Sequence, residues 1–226
     1  MLRQAESPPT LASVRAVIFD MDGVLFEGRN FWLDLHRCFG GDAAEAQQLL
    51  DRYVESDYDT LAEKIVGELW RGKPADPYFE LVARRKYQPG AKETVAALRS
   101  QGIRTAIVTA GPDLLADRAQ KDLGIDLIRA NGVEILDGHL TGESKIAVRD
   151  SEKGEVGLEV LGELGVGPAA AAAVGDGDAD AYLARLVGTS IAYDTSSERL
   201  LEAAQHCLHY GELERVVEIL GEESPA

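Results

Sequence analysis

The 226-residue sequence has few of the features that mark secreted or membrane-bound proteins. Its two cysteines, Cys38 and Cys207, lie far apart and lack metal-ligand spacing, so we expect two buried, reduced thiols rather than a disulfide. The apolar runs are too short to cross a bilayer, and the first fifteen residues lack the apolar stretch of a signal peptide. We therefore expect a cytoplasmic protein with a short flexible leader.

Positive charge is also scarce in this sequence. The chain has 23 Lys and Arg residues against 39 Asp and Glu residues, which gives a formal net charge of −16. Such a charge repels nucleic acid phosphates and anionic lipid, and the densest basic stretch, "ARRKY" at 83–87, is short. The composition therefore predicts neither a nucleic acid nor a membrane partner.

Short apolar runs typical of buried strands alternate with segments of helical periodicity. This alternation predicts an α/β fold, a Rossmann-like parallel sheet with helices on both faces. The segment "AAAAAVGDG" is read as a strand because its Gly-Asp-Gly exit fits a buried strand better than a helix. The predicted strands are 15–20, 105–111, 127–131, 169–177 and 190–193, the helices are 90–102, 113–124, 153–165, 178–188 and 212–220, and a hairpin spans 133–144 with its turn at Asp137-Gly138.

One region breaks this alternation. From about residue 28 to residue 88 the sequence contains helix candidates and no convincing strand. We therefore predict a core domain formed by 1–27 and 89–226, with a small helical cap domain of 28–88 inserted after the first strand. The helix candidates are 31–39, 43–54 and 59–70, followed by a loop over 71–77, and the aromatic residues expected to form the cap core or line a pocket are Phe31, Trp32, Tyr53, Tyr58 and Trp70.

Polar side chains stand where three of the predicted strands end. Ligands of open α/β sheets bind outside the carboxyl ends of the strands. Several carboxylates at one edge repel one another, so we expect a cation there, and an all-oxygen ligand set favours Mg²⁺. The residues concerned are Asp20, Asp22, Thr109, Asp176, Asp178 and Asp180, together with Lys153 at the start of a helix.

Four segments resemble, in the right order, the motifs of phosphatases of the haloacid dehalogenase superfamily, and most of all its phosphoserine phosphatase branch. They read "DMDGV", "IVTAG", "EKGEV" and "GDGDAD", and the resemblance extends from about residue 14 through "ILDGHLTGE" to the rest of the chain. It implies Mg²⁺-dependent hydrolysis of a small phosphorylated metabolite through an aspartyl-phosphate intermediate.

The resemblance also assigns a role to each motif residue. Asp20 is expected to be the nucleophile, and Asp22 the general acid and base. Lys153 is expected to pair with Asp20 and neutralise the transferring phosphoryl group. The other implied roles are phosphoryl contacts from the Thr109 hydroxyl and the N–H groups of Ala110 and Gly23, and metal ligation by Asp20, the Asp22 carbonyl and Asp176, with Asp180 binding a metal-bound water or orienting Lys153.

Two of these assignments have competitors in the sequence. Lys145 is a second candidate for the lysine, but Lys153 begins the helix that leads to the strand before the Asp loop, which is where family members carry it. Asp178 is interpreted as a solvated or helix-capping acid rather than a ligand.

The sequence departs from the phosphoserine phosphatase branch at its substrate-reading positions. Family members carry an acid nine residues beyond the nucleophile, whereas this chain has Arg29 there, with Glu27 two residues away. The cap arginine of the family falls at Lys64 or Ile65. Glu27 and Arg29 are thus candidate substrate-binding residues, and Arg29 favours an acidic group on the substrate.

Other functions compete with a phosphoserine phosphatase. The alternatives are a phosphatase for another acidic or sugar phosphate and a phosphomutase that retains the phosphoryl group. A receiver-like phospho-acceptor module is the non-enzyme alternative, although receivers lack the long insertion after the first strand. We expect a monomer or a homodimer.

Overall fold

The computed structural model of the protein describes residues 14–222. Its central sheet has seven strands in the order β4-β3-β2-β1-β5-β6-β7. The β3–β4 hairpin is antiparallel and the other neighbouring pairs are parallel, which confirms the predicted α/β sheet. The strands are β1 (Ala16–Phe19), β2 (Arg104–Pro112), β3 (Leu127–Leu136), β4 (His139–Lys145), β5 (Ala171–Gly175), β6 (Thr189–Tyr193) and β7 (His206–Leu208).

Helices cover both faces of this sheet. Alternate side chains of β1 point to opposite faces, and each face is apolar and packs against a helical layer. Val17 and Phe19 belong to one cluster, and Ala16 and Ile18 to the other. The helix predicted over 178–188 already ends at Ala184. The core helices are α5 (Ala91–Ser100), α6 (Asp113–Leu123), α7 (Lys153–Leu164), α8 (Asp180–Ala184), α10 (Arg215–Glu222) and the unpredicted six-residue α9 (Glu198–Ala203).

A helical segment lies between β1 and α5, as the sequence predicts. The third predicted helix splits into an α-helical turn and a π-helical stretch over Glu63–Leu69. A fourth helix begins inside the predicted loop, where Asp76-Pro77 provides a helix start, because proline needs no N–H partner in the first turn. The division into two domains remains a prediction. These helices are α1 (Phe31–Cys38), α2 (Ala43–Tyr53), α3 (Tyr58–Ala62) and α4 (Asp76–Arg84), and we call the segment 28–88 the cap.

The alanine-rich run forms β5, between β1 and β6. Ala171 and Ala173 face the cluster that contains helix α7, and Ala172 faces the opposite cluster. Alanine favours helix in isolation, but burial between two strands and two helical layers overrides that propensity. The small side chains let the helices pack close to the sheet.

The thiols only partly match expectation. Cys38 and Cys207 are both unpaired, as predicted, but Cys38 is half-buried and Cys207 is exposed on the edge strand β7, so the prediction of buried thiols is wrong. Within residues 14–222, none of the helices has the length and apolar character needed to cross a membrane. The predicted N-terminal leader lies almost wholly outside the described residues.

The close packing around β5 leads to a stability prediction. Ala172 is fully buried, so Ala172→Leu overpacks the core and is expected to lower the free energy of unfolding by about 1–3 kcal/mol. Ala44→Leu on the exposed side of α2 is the control and should change it by less than about 0.5 kcal/mol. Urea unfolding of both variants measures the difference, and equal midpoints would contradict this account of β5.

Candidate active site

A pocket of about 520 Å³ opens at the carboxyl ends of β1, β2 and β5 and reaches the cap. Parallel strands end at one edge of the sheet, which is why residues distant in sequence meet here. The pocket is lined by the predicted residues Asp20, Asp22, Arg29, Thr109, Ala110, Lys153, Asp176, Asp178 and Asp180.

Lys153 forms the centre of the site. Its ammonium Nζ lies 2.7 Å from Asp20 Oδ1 and 2.7 Å from Asp180 Oδ1, and all three side chains are at least nine-tenths buried. Burial alone would lower the pKa of Lys153, but the charges and hydrogen bonds of Asp180 and Asp20 together raise it above its usual range. Lys153 is therefore a permanent positive charge beside Asp20. Lys145, the competing candidate, ends β4 and does not line the pocket.

Asp22 has a different environment from Asp20. Its Oδ2 accepts a hydrogen bond of 3.3 Å from the Phe31 N–H, while its buried Oδ1 has no hydrogen-bond partner among residues 14–222. Burial, with a further contribution from the charge of Asp20, raises the pKa of Asp22 to about 7. A carboxyl group with this pKa can hold a proton at neutral pH and release it, which suits a general acid and base.

Gly23 allows the acids of two strands to approach each other. Its φ is +82°, and a Cβ atom at this position would lie 2.0 Å from Asp176 Oδ2. Any side chain here would therefore displace Asp176. The Gly23 N–H donates to Phe26 O at 2.9 Å, so it already has a partner in the turn rather than being free for a phosphoryl oxygen.

Three carboxylates form a compact acidic cluster. Asp20, Asp176 and Asp180 each place a carboxylate oxygen within 4.8 Å of the others. Asp180 Oδ2 accepts the N–H groups of Asp176 (3.1 Å) and Gly177 (3.0 Å), so Asp180 is occupied with the loop and with Lys153. Burial and then the charge of Asp20 raise the pKa of Asp176 to about 8. This crowding of negative charge and the all-oxygen donor set fit a hard divalent cation such as Mg²⁺.

The end of β2 supplies the neutral polar groups of the pocket. Thr109 is buried, and its Oγ1 accepts the Gly111 N–H at 3.0 Å. The carbonyl of Ala110 accepts Trp32 Nε1 at 2.8 Å and Asn131 Nδ2 at 3.2 Å. A cap residue and a residue of β3 thus both hold this loop.

Of the two candidate substrate-binding residues near the cap entrance, only Arg29 lines the pocket. Its guanidinium lies 3.1 Å from Asp176 Oδ2 and 3.2 Å from Asp194 Oδ2. Glu27 lies outside the pocket, where its backbone bonds to Lys86 and Arg85.

Some pocket residues were not predicted, and others were predicted only as a group. Trp32 and Tyr58 are the members of the cap aromatic set that line the pocket, whereas Phe31 and Trp70 are buried cap core. Asp150, which lines the pocket, and Asn131, which contacts Ala110 from outside it, carried no recognisable motif. The carboxylate of the half-buried Asp150 has no hydrogen-bond or ion-pair partner among the described residues.

The fold and the site together define a class of protein, an α/β protein whose strand-end aspartates and buried lysine are suited to phosphoryl transfer. A family model for haloacid dehalogenase-like hydrolases matches residues 17–185, most of the chain. The chain belongs to the haloacid dehalogenase-like hydrolase family, as its motifs predicted.

Curated relatives place its similarity in the phosphoserine phosphatase branch. The chain is 32% identical over 184 residues to a phosphoserine phosphatase of Archaeoglobus fulgidus, covering 80% of this chain but only 52% of that relative. It is 30% identical over 220 residues to a phosphoserine phosphatase of Polaromonas sp., covering 93% of this chain and 91% of the relative.

A solved structure described as a phospho-aspartyl intermediate analogue of phosphoserine phosphatase also matches. Its TM-score is 0.77 at 26% identity, and the match covers 93% of this chain and 99% of that chain.

The environment of Asp150 generates a pH prediction. Burial raises its pKa from 3.8 to about 6, opposed by Lys153 and assisted by Asp20, Asp180 and Glu55. The folded protein thus binds more protons than the unfolded chain between these pKa values, so this carboxyl group reduces stability as pH rises through that window. Asp150→Asn should therefore raise the free energy of unfolding by about 1–3 kcal/mol at pH 8 and change it little at pH 3.5.

Denaturant unfolding in buffers from pH 3.5 to pH 8 measures this effect. Asp51→Asn, which removes an exposed carboxylate at the pocket rim, is the control and should give no pH-dependent gain. An Asp150→Asn gain that is the same at both pH values would contradict the assignment.

Proposed function

We propose that this protein hydrolyses a small phosphomonoester in a Mg²⁺-dependent reaction, with Asp20 as the nucleophile. The observation that carries the proposal is the buried Asp20–Lys153–Asp180 arrangement with Asp22 in the same pocket. One carboxylate is held beside a permanent cation, while a second carboxyl group can carry a proton, and phosphoryl transfer to an aspartate needs both.

The reaction has two steps, transfer of the phosphoryl group to Asp20 and hydrolysis of the resulting aspartyl-phosphate. A carboxylate oxygen of Asp20 attacks phosphorus, the bond from phosphorus to the ester oxygen breaks, and Asp22 gives its proton to the departing alkoxide. Asp22 then takes a proton from a water molecule, whose oxygen attacks the same phosphorus. The bond between phosphorus and Asp20 breaks, which releases inorganic phosphate and restores the free carboxylate.

The other pocket residues orient the phosphoryl group and neutralise its negative charge. Lys153 stabilises negative charge on the phosphoryl oxygens, and Asp180 holds Lys153 in place. Thr109 Oγ1 and the N–H of Ala110 contact a phosphoryl oxygen. Asp20, Asp176 and the Asp22 carbonyl would hold Mg²⁺, which would offset the charge of the cluster and of the phosphate.

The relatives suggest phosphoserine as the substrate. Glu27 lies outside the pocket, so it is poorly placed to bind the ammonium group of phosphoserine. Asp150 is the better candidate, because its carboxylate lines the pocket and has no partner among the described residues. Arg29 is bound to Asp176 and Asp194, but it would favour another acidic phosphate if it were released. We further infer a cytoplasmic monomer or homodimer.

A phosphomutase is the second candidate, because it uses the same pair of aspartates. The pocket favours hydrolysis, since it opens beside Asp22 and leaves space for water. Release of one inorganic phosphate per substrate consumed supports hydrolysis, whereas an isomerised phosphate ester without phosphate release supports the mutase.

The nucleophile is tested by Asp20→Asn. We expect the turnover number with phosphoserine and with p-nitrophenyl phosphate to fall by at least about 1,000-fold, because the amide cannot accept the phosphoryl group. Phosphate release with Mg²⁺, with EDTA and after Mg²⁺ is restored measures both the residue and the metal. Asp51→Asn is the matched control, and turnover retained in Asp20→Asn would refute the mechanism.

Binding of the substrate ammonium by Asp150 is tested with pairs of substrates that differ only in the presence of an amine. Phosphoserine is compared with 3-phosphonooxypropanoate, and phosphoethanolamine with ethyl phosphate. The amine-bearing member of each pair should have the higher kcat/KM, and Asp150→Asn should reduce this preference about tenfold, since a charge-assisted contact contributes roughly that much. A preference for the amine-free acid would instead favour recognition by Arg29.

A further inference from the structure

The side chain of Asn131 joins three separate segments of the protein. It is 4% exposed, and it lies on β3 outside the four motifs. Its Oδ1 accepts the N–H groups of Ala147 and Val148, both at 2.8 Å. Its Nδ2 donates to Val148 O at 2.8 Å, to Tyr58 Oη at 3.0 Å and to Ala110 O at 3.2 Å. The amide NH₂ has two hydrogens for these three acceptors, which therefore share them, and the amide has no unused donor.

The partners of Asn131 belong to parts of the molecule that must cooperate in the reaction. Tyr58 begins cap helix α3. Ala110 lies at the end of β2, in the stretch 109–111 that we call the phosphate-binding loop because the proposed mechanism places its phosphoryl contacts there. Ala147 and Val148 lie in the segment that leads to Lys153. One buried amide therefore connects the cap, the phosphate-binding loop and the approach to the catalytic lysine.

The contact with Ala110 fixes the orientation of a peptide group. A peptide is planar and trans, so its C=O and N–H point in opposite directions. The Ala110 carbonyl points to Asn131 and Trp32, and the N–H of the same peptide, that of Gly111, points to Thr109 Oγ1. Gly111 lies close to the acids as well, since a Cβ atom there would lie 3.0 Å from Asp22 Oδ2.

We propose that Asn131 is a positioning residue that fixes the Ala110–Gly111 peptide, whose N–H orients the Thr109 hydroxyl for phosphoryl binding, and couples this peptide to the cap through Tyr58. The inference rests on the proposed phosphatase function. Asn131 does not touch the substrate and acts by holding the loop. Trp32 and Tyr58 both come from the cap, so the loop has its complete set of partners only when the cap lies against the core.

Asn131→Asp is the principal test, because it keeps the shape and the Oδ1 acceptor but replaces the donor with an oxygen that repels the Ala110 and Val148 carbonyls. We expect kcat to fall about 10–100-fold, as for a misplaced reacting group, and inorganic phosphate to inhibit about tenfold more weakly. Mg²⁺ affinity, measured by calorimetry, should stay within about twofold, because no metal-cluster residue contacts Asn131. Gln205→Glu is the matched control and should leave kcat unchanged. The Gln205 amide accepts the Ser190 N–H and donates to the Gly188 carbonyl at the start of β6, at the opposite end of the strands from the pocket.

A second readout does not depend on turnover. The chain has two tryptophans, so in a Trp70→Phe background Trp32 is the sole indole and reports on its contact with Ala110. We expect inorganic phosphate with Mg²⁺ to change Trp32 fluorescence in this background, and the change to be lost when Asn131→Asp is added. Tyr58→Phe, which removes only the hydrogen bond between Asn131 and Tyr58, should weaken the phosphate response about threefold and serves as the test if Asn131→Asp does not fold.

The possible outcomes separate the inference from the proposed function. A folded Asn131→Asp protein with a lower melting temperature but unchanged kcat, phosphate inhibition and Trp32 response would show a purely structural role and overturn the inference. If Asn131→Asp does not fold, an unchanged phosphate response in Tyr58→Phe overturns it. A parent protein that binds phosphate but hydrolyses no phosphomonoester would refute the proposed function, while the fluorescence comparison would still decide the role of Asn131.

Discussion

The buried ammonium of Lys153 is the interaction on which the rest of the site depends. An isolated charge at this depth would be strongly unfavourable, so it requires Asp20 from β1 and Asp180 from α8 as partners. Those partners in turn fix the ends of β1 and β5 relative to the start of α7. Removing Lys153 would leave two buried carboxylates close together with no cation between them.

The same arrangement separates the roles of the aspartates. Asp20 and Asp180 face Lys153, Asp176 faces Arg29, and Asp22 has only a weak hydrogen bond from the Phe31 N–H. Similar side chains a few residues apart therefore have different electrostatic environments. Gly23 makes this crowding possible, because no side chain fits between its turn and Asp176.

The cap is joined to the core by contacts that surround the pocket. Trp32 reaches Ala110 at the end of β2 directly, Tyr58 reaches it through Asn131, and exposed ion pairs join Glu55 to Arg199 and Asp59 to Arg149. Exposed pairs of this kind contribute little stability and exchange readily with water. The buried polar contacts therefore determine the geometry around Ala110, and the ion pairs at the rim add only weak restraint.

The amino-acid sequence was enough to predict the α/β sheet, the strand-end acids and the family, because strand length, glycine exits and the order of motifs can all be seen along the chain. Even Lys153 could be separated from Lys145 by its place before a helix. Only the packing of distant segments shows which side chains share the pocket: Arg29 and Asp150 line it, Glu27 does not, and Asn131 lies outside it against Ala110. The tertiary structure also showed α4 and α9, whose short patterns are weak in sequence. The physical reason is that contacts between distant segments depend on how helices and strands pack, and no local pattern records that packing.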